Sequence, residues 1–149
     1  SVAYHCYQQL RRDGRVELFG EHGGFPPGGH LRDFVAVEDV ARVNLHFFDH
    51  PQRSGIFNLG SGQARTFNEV ALAVINSVRA NADQPPLSLQ QAVESGLLGY
   101  REFPESLRAR YQSHTCADLE LLREAGYRDD FQSLEEGVAG YCRWLARSA

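Results

Sequence analysis

The chain contains no methionine and no lysine, and all fifteen of its basic side chains are arginine. The missing lysine excludes a Schiff-base amine, a P-loop lysine and a Tyr-x-x-x-Lys pair. The missing methionine leaves no initiator, so Ser1 reads as a cut or processed end. Cysteine is scarce: Cys6, Cys116 and Cys142 are odd in number, widely spaced and without a C-x-x-C pair. That pattern argues against a disulfide framework and for reduced thiols in a cytosolic protein. No apolar run approaches the roughly 20 residues that span a bilayer. Nothing in the first residues reads as a signal peptide, because Arg11 and Arg12 follow the first helix-like turns rather than precede an apolar stretch. Nor is there an excess of positive charge: 15 basic against 19 acidic residues give a net charge of −4. That balance argues against general nucleic-acid binding, where a basic face supplies the affinity.

What is present suits one soluble domain with a working core: 149 residues, 42% hydrophobic and 23% charged. Residues 1–12 carry Val2, Cys6 and Leu10 at helical spacing, and Gly14 ends the pattern. A short strand is expected over 15–19, a loop over 20–29, a strand over 32–37 and a helix from Asp39 through Phe48 with Val40, Val43, Phe47 and Phe48 on its apolar face. A turn at 49–55 leads to an expected strand over 55–60. Thr66-Phe-Asn-Glu69 is a capping box for a helix running to about Ala80. Beyond Pro85-Pro86, a short helix is expected over 88–98 and a strand over 99–103. A helix begins at Thr115-Cys-Ala-Asp118 and closes at Gly126, a residue suited to left-handed backbone. Ser133-Leu-Glu-Glu136 is a second capping box, opening a final helix with Val138, Tyr141, Trp144 and Leu145 on one side. The order predicts an α/β fold of few strands and several helices. So small a strand set suits part of a larger sheet, or a subdomain that leans on a partner.

Several residues carry chemistry. The loop over 20–29 holds five glycines and two prolines together with Glu21, His22, Phe25 and His30, unusual cargo for a plain connector. Arg32 follows it; its planar guanidinium matches a phosphate bidentately and is equally suited to pairing with Asp33 or Glu38. Tyr111 combines an apolar face with a hydroxyl, and Arg108 and Arg110 flank it. Gly60-Ser-Gly62 precedes a capped helix, but Ala64 and Arg65 break any G-x-G-x-x-G pattern, so a tight turn is preferred to a phosphate cradle. His46 and His50 stand at a metal-compatible spacing. The turn that follows at Pro51 favours a helix end instead, and no metal site is expected.

Three segments, in this order and spacing, resemble one family. Arg32-Asp-Phe-Val-Ala-Val-Glu-Asp-Val-Ala41, Gly55-Ile-Phe-Asn-Leu-Gly-Ser-Gly62 and Ala117-Asp-Leu-Glu-Leu-Leu-Arg-Glu-Ala-Gly-Tyr127 are similar to the extended short-chain dehydrogenase/reductases that act on sugar nucleotides. Phe103-Pro-Glu-Ser-Leu-Arg-Ala-Arg-Tyr-Gln112, with Ser1-Val-Ala-Tyr-His5 and Leu18-Phe-Gly-Glu-His22, resembles the ADP-heptose 6-epimerase branch. Residues 81–98 look like an extension that only some members carry.

The resemblance implies that residues 1–149 are the C-terminal, substrate-binding portion of a Rossmann-type enzyme. That enzyme interconverts ADP-heptose epimers at C6″ through transient oxidation by NADP, for lipopolysaccharide inner-core synthesis. It implies a cytoplasmic homo-oligomer, a pentamer. The NADP-binding half and the Tyr-x-x-x-Lys pair precede this segment in the family, so the chain is expected to carry no catalytic residue and to be inactive alone. Substrate contacts implied by the resemblance are His5 to a sugar hydroxyl, Phe19 to adenine, Gly20 with the Glu21 and His22 amides to polar edges, Arg32 to the diphosphate, and Tyr111. Two other readings remain open: another epimerase, dehydratase or reductase of the superfamily, or a non-catalytic nucleotide-sugar-binding module.

Overall fold

The computed structural model describes residues 1–148. Helix α1 (Val2–Asp13) starts under a side-chain cap, Ser1 Oγ accepting from the Tyr4 amide, and stops where the Gly14 amide bonds the Leu10 carbonyl. It turns Cys6 and Tyr7 inward. Strand β1 (Val16–Phe19) follows and lies parallel to β4 (Leu98–Arg101), with Val16 opposite Leu98 and Phe19 opposite Arg101. Helix α3 (Phe67–Ala80) begins at the expected capping box and buries Val70, Ala71, Val74 and Ile75. That one-sided spacing defines a core-facing stripe. Helix α7 (Leu134–Arg147) begins at the second capping box and buries Val138, Cys142 and Leu145 against the same core. Short α4 (Leu89–Glu94) adds Ala92.

A second, smaller core joins Val43 of helix α2 (Val37–Asp49), Leu122 of α6 (Glu120–Glu124) and Tyr127, with Phe47, Phe57, Leu59, Leu119 and Phe131 around them. Between the two cores runs a short antiparallel ladder, β2 (Leu31–Asp33) with β3 (Ala64–Thr66). A single turn, α5 (Glu105–Arg108), precedes Tyr111. The α/β class, few strands and many helices are as the sequence predicts.

Several boundaries differ from expectation. Residues 55–60 form no strand: the segment has no ladder partner among the described residues, and Ile56 is 96% exposed. A strand is stabilised by its neighbour, so the pattern alone does not suffice. The strand expected over 32–37 shrinks to β2, which pairs with the unanticipated β3. Helix α2 starts two residues before Asp39, whose fully buried carboxylate accepts from the Gln132 amide at 2.9 Å and pairs with Arg42. The last expected strand begins one residue early and ends at Arg101, leaving Phe103 free to turn into the interior. The helix expected from Thr115 starts only at Glu120, because Asp118 is held in a local turn, its carboxylate accepting from the Glu120 amide. The expected helix over 88–98 is confined to α4. Residues 81–88 are fastened to α3: the Asn76 amide bonds both the carbonyl and the amide of Leu87, and Arg79 Nε donates to the Pro85 carbonyl.

Candidate functional site

A cleft of about 340 Å³ opens where the C-terminal ends of β1 and β4 meet α1 and the start of α3. His5, Phe19 and Tyr111 all line it, together with Cys6, Glu17, Gly28, His30, Phe67 and Arg101. Three of the seven expected substrate residues therefore converge, from sequence positions over a hundred apart. A fourth, Arg32, stands just behind: its guanidinium lies 5.1 Å from the Tyr111 ring centre and 5.8 Å from that of Phe67.

The loop that shapes the cleft is tightly fixed. His22 and Phe25 exchange backbone hydrogen bonds across Gly23-Gly24. The Gly28 amide donates to the Phe19 carbonyl at 3.0 Å, and the Asn68 amide at the start of α3 donates to the Gly28 carbonyl at 3.0 Å. Asn68 Nδ2 also donates to Pro27, while its Oδ1 accepts from the Tyr100 hydroxyl. Gly28 has φ 64°, and a Cβ there would overlap the Asn68 side chain, so this turn requires glycine.

Beneath the cleft lies an aromatic bed. Phe103 is buried and lies 5.3 Å from Phe19, 4.2 Å from His22 in a stacked pair, and 4.9 Å edge-on to Tyr111. His30, 2% exposed, sits between Phe25 at 5.2 Å and Tyr111 at 4.9 Å. Its Nε2 meets the His22 carbonyl at 3.1 Å, so that nitrogen carries the hydrogen. Burial holds the His30 imidazole below its ordinary pKa, with His22 and Arg32 adding to the effect against the opposing pull of the His22 carbonyl, so the ring is neutral at pH 7. Burial likewise raises the Tyr111 phenol, opposed by Arg32, and keeps it a hydroxyl. Cys6 brings no thiolate to the cleft: its thiol is pushed up to about 12, by burial first and by Cys142.

The remaining expected residues stand outside the cleft lining. Gly20 extends the β1–β4 ladder, its amide donating to the Arg101 carbonyl at 2.7 Å. A Cβ at Gly20 would stand 3.0 Å from that oxygen, so the close approach it permits is to β4. Glu21 is exposed, outside the cleft lining. His22 supports Phe103, and its Nε2 meets the Arg108 carbonyl at 3.3 Å. Arg32 pairs with neither Asp33 nor Glu38; it donates to the carbonyls of Leu31 and Gln112.

Asp33 is an anchor instead. Its carboxylate accepts from Ser61 N and Oγ at 2.7 and 2.5 Å, from Gly62 N at 2.9 Å and from Ala117 N at 2.9 Å. The amides of Ser61 and Gly62 are thus consumed internally, as a tight turn rather than a phosphate cradle. With those amides used and no lysine in the chain, the residues present do not fit a nicotinamide dinucleotide. His50 caps the end of α2, its Nδ1 meeting the His46 carbonyl at 2.7 Å.

His30 stands out in the sequence only as cargo of the glycine-rich loop, and Phe67, Phe103 and Arg101 do not stand out as site residues. Phe103 stands in the same segment as Tyr111, which was the available signal. For Arg101 there was none, because only the β1–β4 register sets it beside Phe19.

No protein-family model matches the chain. Among solved structures, the fold is similar to UDP-glucose 4-epimerase from Bifidobacterium longum in complex with NAD+ and UDP. The TM-score is 0.65 at 21% identity, over 98% of this chain and 39% of that one. The architecture is that of the extended short-chain dehydrogenase/reductase epimerases, of which it spans about 40%.

Sequence relatives are nearer. The chain is 91% identical over its full length to ADP-L-glycero-D-manno-heptose-6-epimerase of Pseudomonas paraeruginosa (strain DSM 24068 / PA7), covering 45% of that protein. It is 56% identical over 97% of its length to the enzyme of the same name from Cupriavidus pinatubonensis (strain JMP 134 / LMG 1197), covering 44% of it. The chain is thus similar to the C-terminal part of proteins of that name. It spans slightly under half the length of the curated relatives it matches.

Proposed function

We propose that the chain binds ADP-heptose in the cleft between α1, β1 and β4, as the substrate-side part of a heptose 6-epimerase. The observation that carries this reading is the convergence of His5, Phe19 and Tyr111 on one cleft, with Arg32 packed behind Tyr111. An aromatic face, two hydrogen-bonding side chains and a guanidinium are the chemistry that an adenine, a sugar and a diphosphate require. The fixed loop over 20–29 pre-organises the cleft, which lowers the ordering cost of binding.

In this reading residues 1–149 bind and orient the nucleotide-sugar, and NADP and the groups that move protons belong to an N-terminal half outside this chain. The chain alone is then inactive. The exposed apolar side chains Val37, Leu45 and Phe48 of α2 and Ile56 of the segment after it, each at least 60% exposed, support a docking surface for that half. The same reading assigns the whole enzyme to a cytoplasmic homo-oligomer acting in lipopolysaccharide core synthesis. No helix among the described residues is long and apolar enough to cross a membrane.

Calorimetric titration of the chain with ADP, with UDP and GDP as controls, tests the proposal. Saturable binding that prefers ADP, weakened roughly tenfold in Arg32→Ala and less in Tyr111→Phe, is expected. Equal affinity for the three nucleotides would point to another sugar-nucleotide enzyme of the superfamily. No binding by a folded chain, persisting after the separately prepared N-terminal half is added, would overturn the reading.

A further inference from the structure

Among the described residues the cleft lining contains one carboxylate and one guanidinium, those of Glu17 and Arg101. Glu17 is occupied: its Oε1 accepts from Arg15 at 2.7 Å. Arg101 is not. It has no carboxylate within 4.0 Å and no side-chain hydrogen bond among the described residues. Its guanidinium carbon stands 4.9 Å from the centre of the Phe19 ring, which holds the planar group by its face. The guanidinium N–H groups have no hydrogen-bond partner among the described residues, and they form the fork that matches a phosphate bidentately. Arg32, by contrast, already donates to two carbonyls and lies outside the lining.

We infer that Arg101 is a further anion contact of the cleft, its guanidinium pairing with a phosphate of the bound nucleotide while Phe19 packs against it. This rests on the nucleotide-binding reading above and adds to it a residue that the family resemblance does not supply. The β1–β4 register builds the arrangement. Phe19 and Arg101 are partners in the parallel ladder, and the Gly20 amide bonded to the Arg101 carbonyl fixes the end of that ladder at the cleft mouth. The side chain is exposed, so its replacement does not disturb the core.

Titrations of the chain with ADP, AMP and adenosine, for wild type, Arg101→Ala and Arg101→Lys, test the inference at two salt concentrations, with circular dichroism to check folding. Loss of one charge-assisted phosphate contact corresponds to roughly tenfold to hundredfold weaker ADP binding. Arg101→Ala is expected to lose that much for ADP and nothing for adenosine, and its ADP affinity should depend less on salt. Arg101→Lys should recover part of the loss, keeping the charge without the fork. ADP affinity unchanged in Arg101→Ala overturns the inference. So does an equal loss for adenosine and ADP, which would make Arg101 a packing residue over Phe19. If wild type binds ADP and Arg32→Ala abolishes it while Arg101→Ala does not, only this inference falls. If wild type binds none of the three, even with the N-terminal half added, the nucleotide-binding reading falls with it.

Discussion

The two cores of the molecule are built on the same amphipathic rules but finished to different degrees. Around β1, β4, α1, α3 and α7, twelve buried side chains form one continuous cluster, and Val16, Val74, Ile75 and Cys142 are fully buried. Around α2 and α6 the buried apolar side chains of the cluster are Val43, Leu122 and Tyr127, while Phe48 and Ile56 remain 81% and 96% exposed. The first region closes on itself and carries the cleft. The second leaves a face of large apolar side chains in water, with Ile56 on a segment that has strand-like sequence and no strand partner. A hydrophobic pattern therefore specifies which side chains seek burial, and the neighbours on offer decide whether they find it.

The comparison is broken most directly by matched truncations. Ile75→Ala should lower stability by about 2–5 kcal/mol, whereas Ile56→Ala should stay within about 0.5 kcal/mol, both read from urea unfolding midpoints. Equal effects would mean that the two regions are equally packed in solution. Asp33 joins the regions, since its carboxylate ties β2 to the Gly60–Gly62 turn and to Ala117. Asp33→Ala removes a charged acceptor shared by four donors and should cost about 3 kcal/mol, with loss of cooperativity between the regions. A single, unchanged transition in that variant would show that the anchor is not needed.

The smallest effect concerns pH. Burial holds His30 below its ordinary value of 6.5, so the unfolded chain takes up that proton more readily than the folded one. The stability this neutral ring contributes is therefore present above about pH 6.5 and is lost as pH falls through its depressed folded value. His30→Gln should flatten the stability profile below pH 6.5, a result checked by thermal unfolding at several pH values. An unaltered profile would place the acid-sensitive group elsewhere.

Much of this was readable in advance. The capping boxes at Thr66 and Ser133 mark helix starts because the Glu at the third helical position closes the box locally, with no help from distant residues. His5, Phe19, Arg32 and Tyr111 were found through sequence segments that resemble a family, and they come together on one cleft and its rim. Glu21 was named with them and stands in solvent outside the lining. Gly20 was named for closeness to a ligand, and its close approach is to β4. Neither role is visible in a local pattern, because each depends on which strand lies alongside. The same is true of Arg101, which looks like any surface arginine until the parallel register sets it over Phe19.

What the sequence alone determined is the set of helices with strong caps and one-sided apolar spacing, the α/β class, the fixed turns at glycine, and the chemical kinds of group available to a cleft. These follow from interactions within a few residues. The tertiary structure decided which of those groups share a cleft, that Asp33 rather than a ligand takes the Ser61 and Gly62 amides, that His30 lies buried and neutral, and that residues 55–60 stay unpaired. Each of those outcomes turns on a partner tens of residues away, and only the folded chain brings such partners within hydrogen-bonding or packing distance.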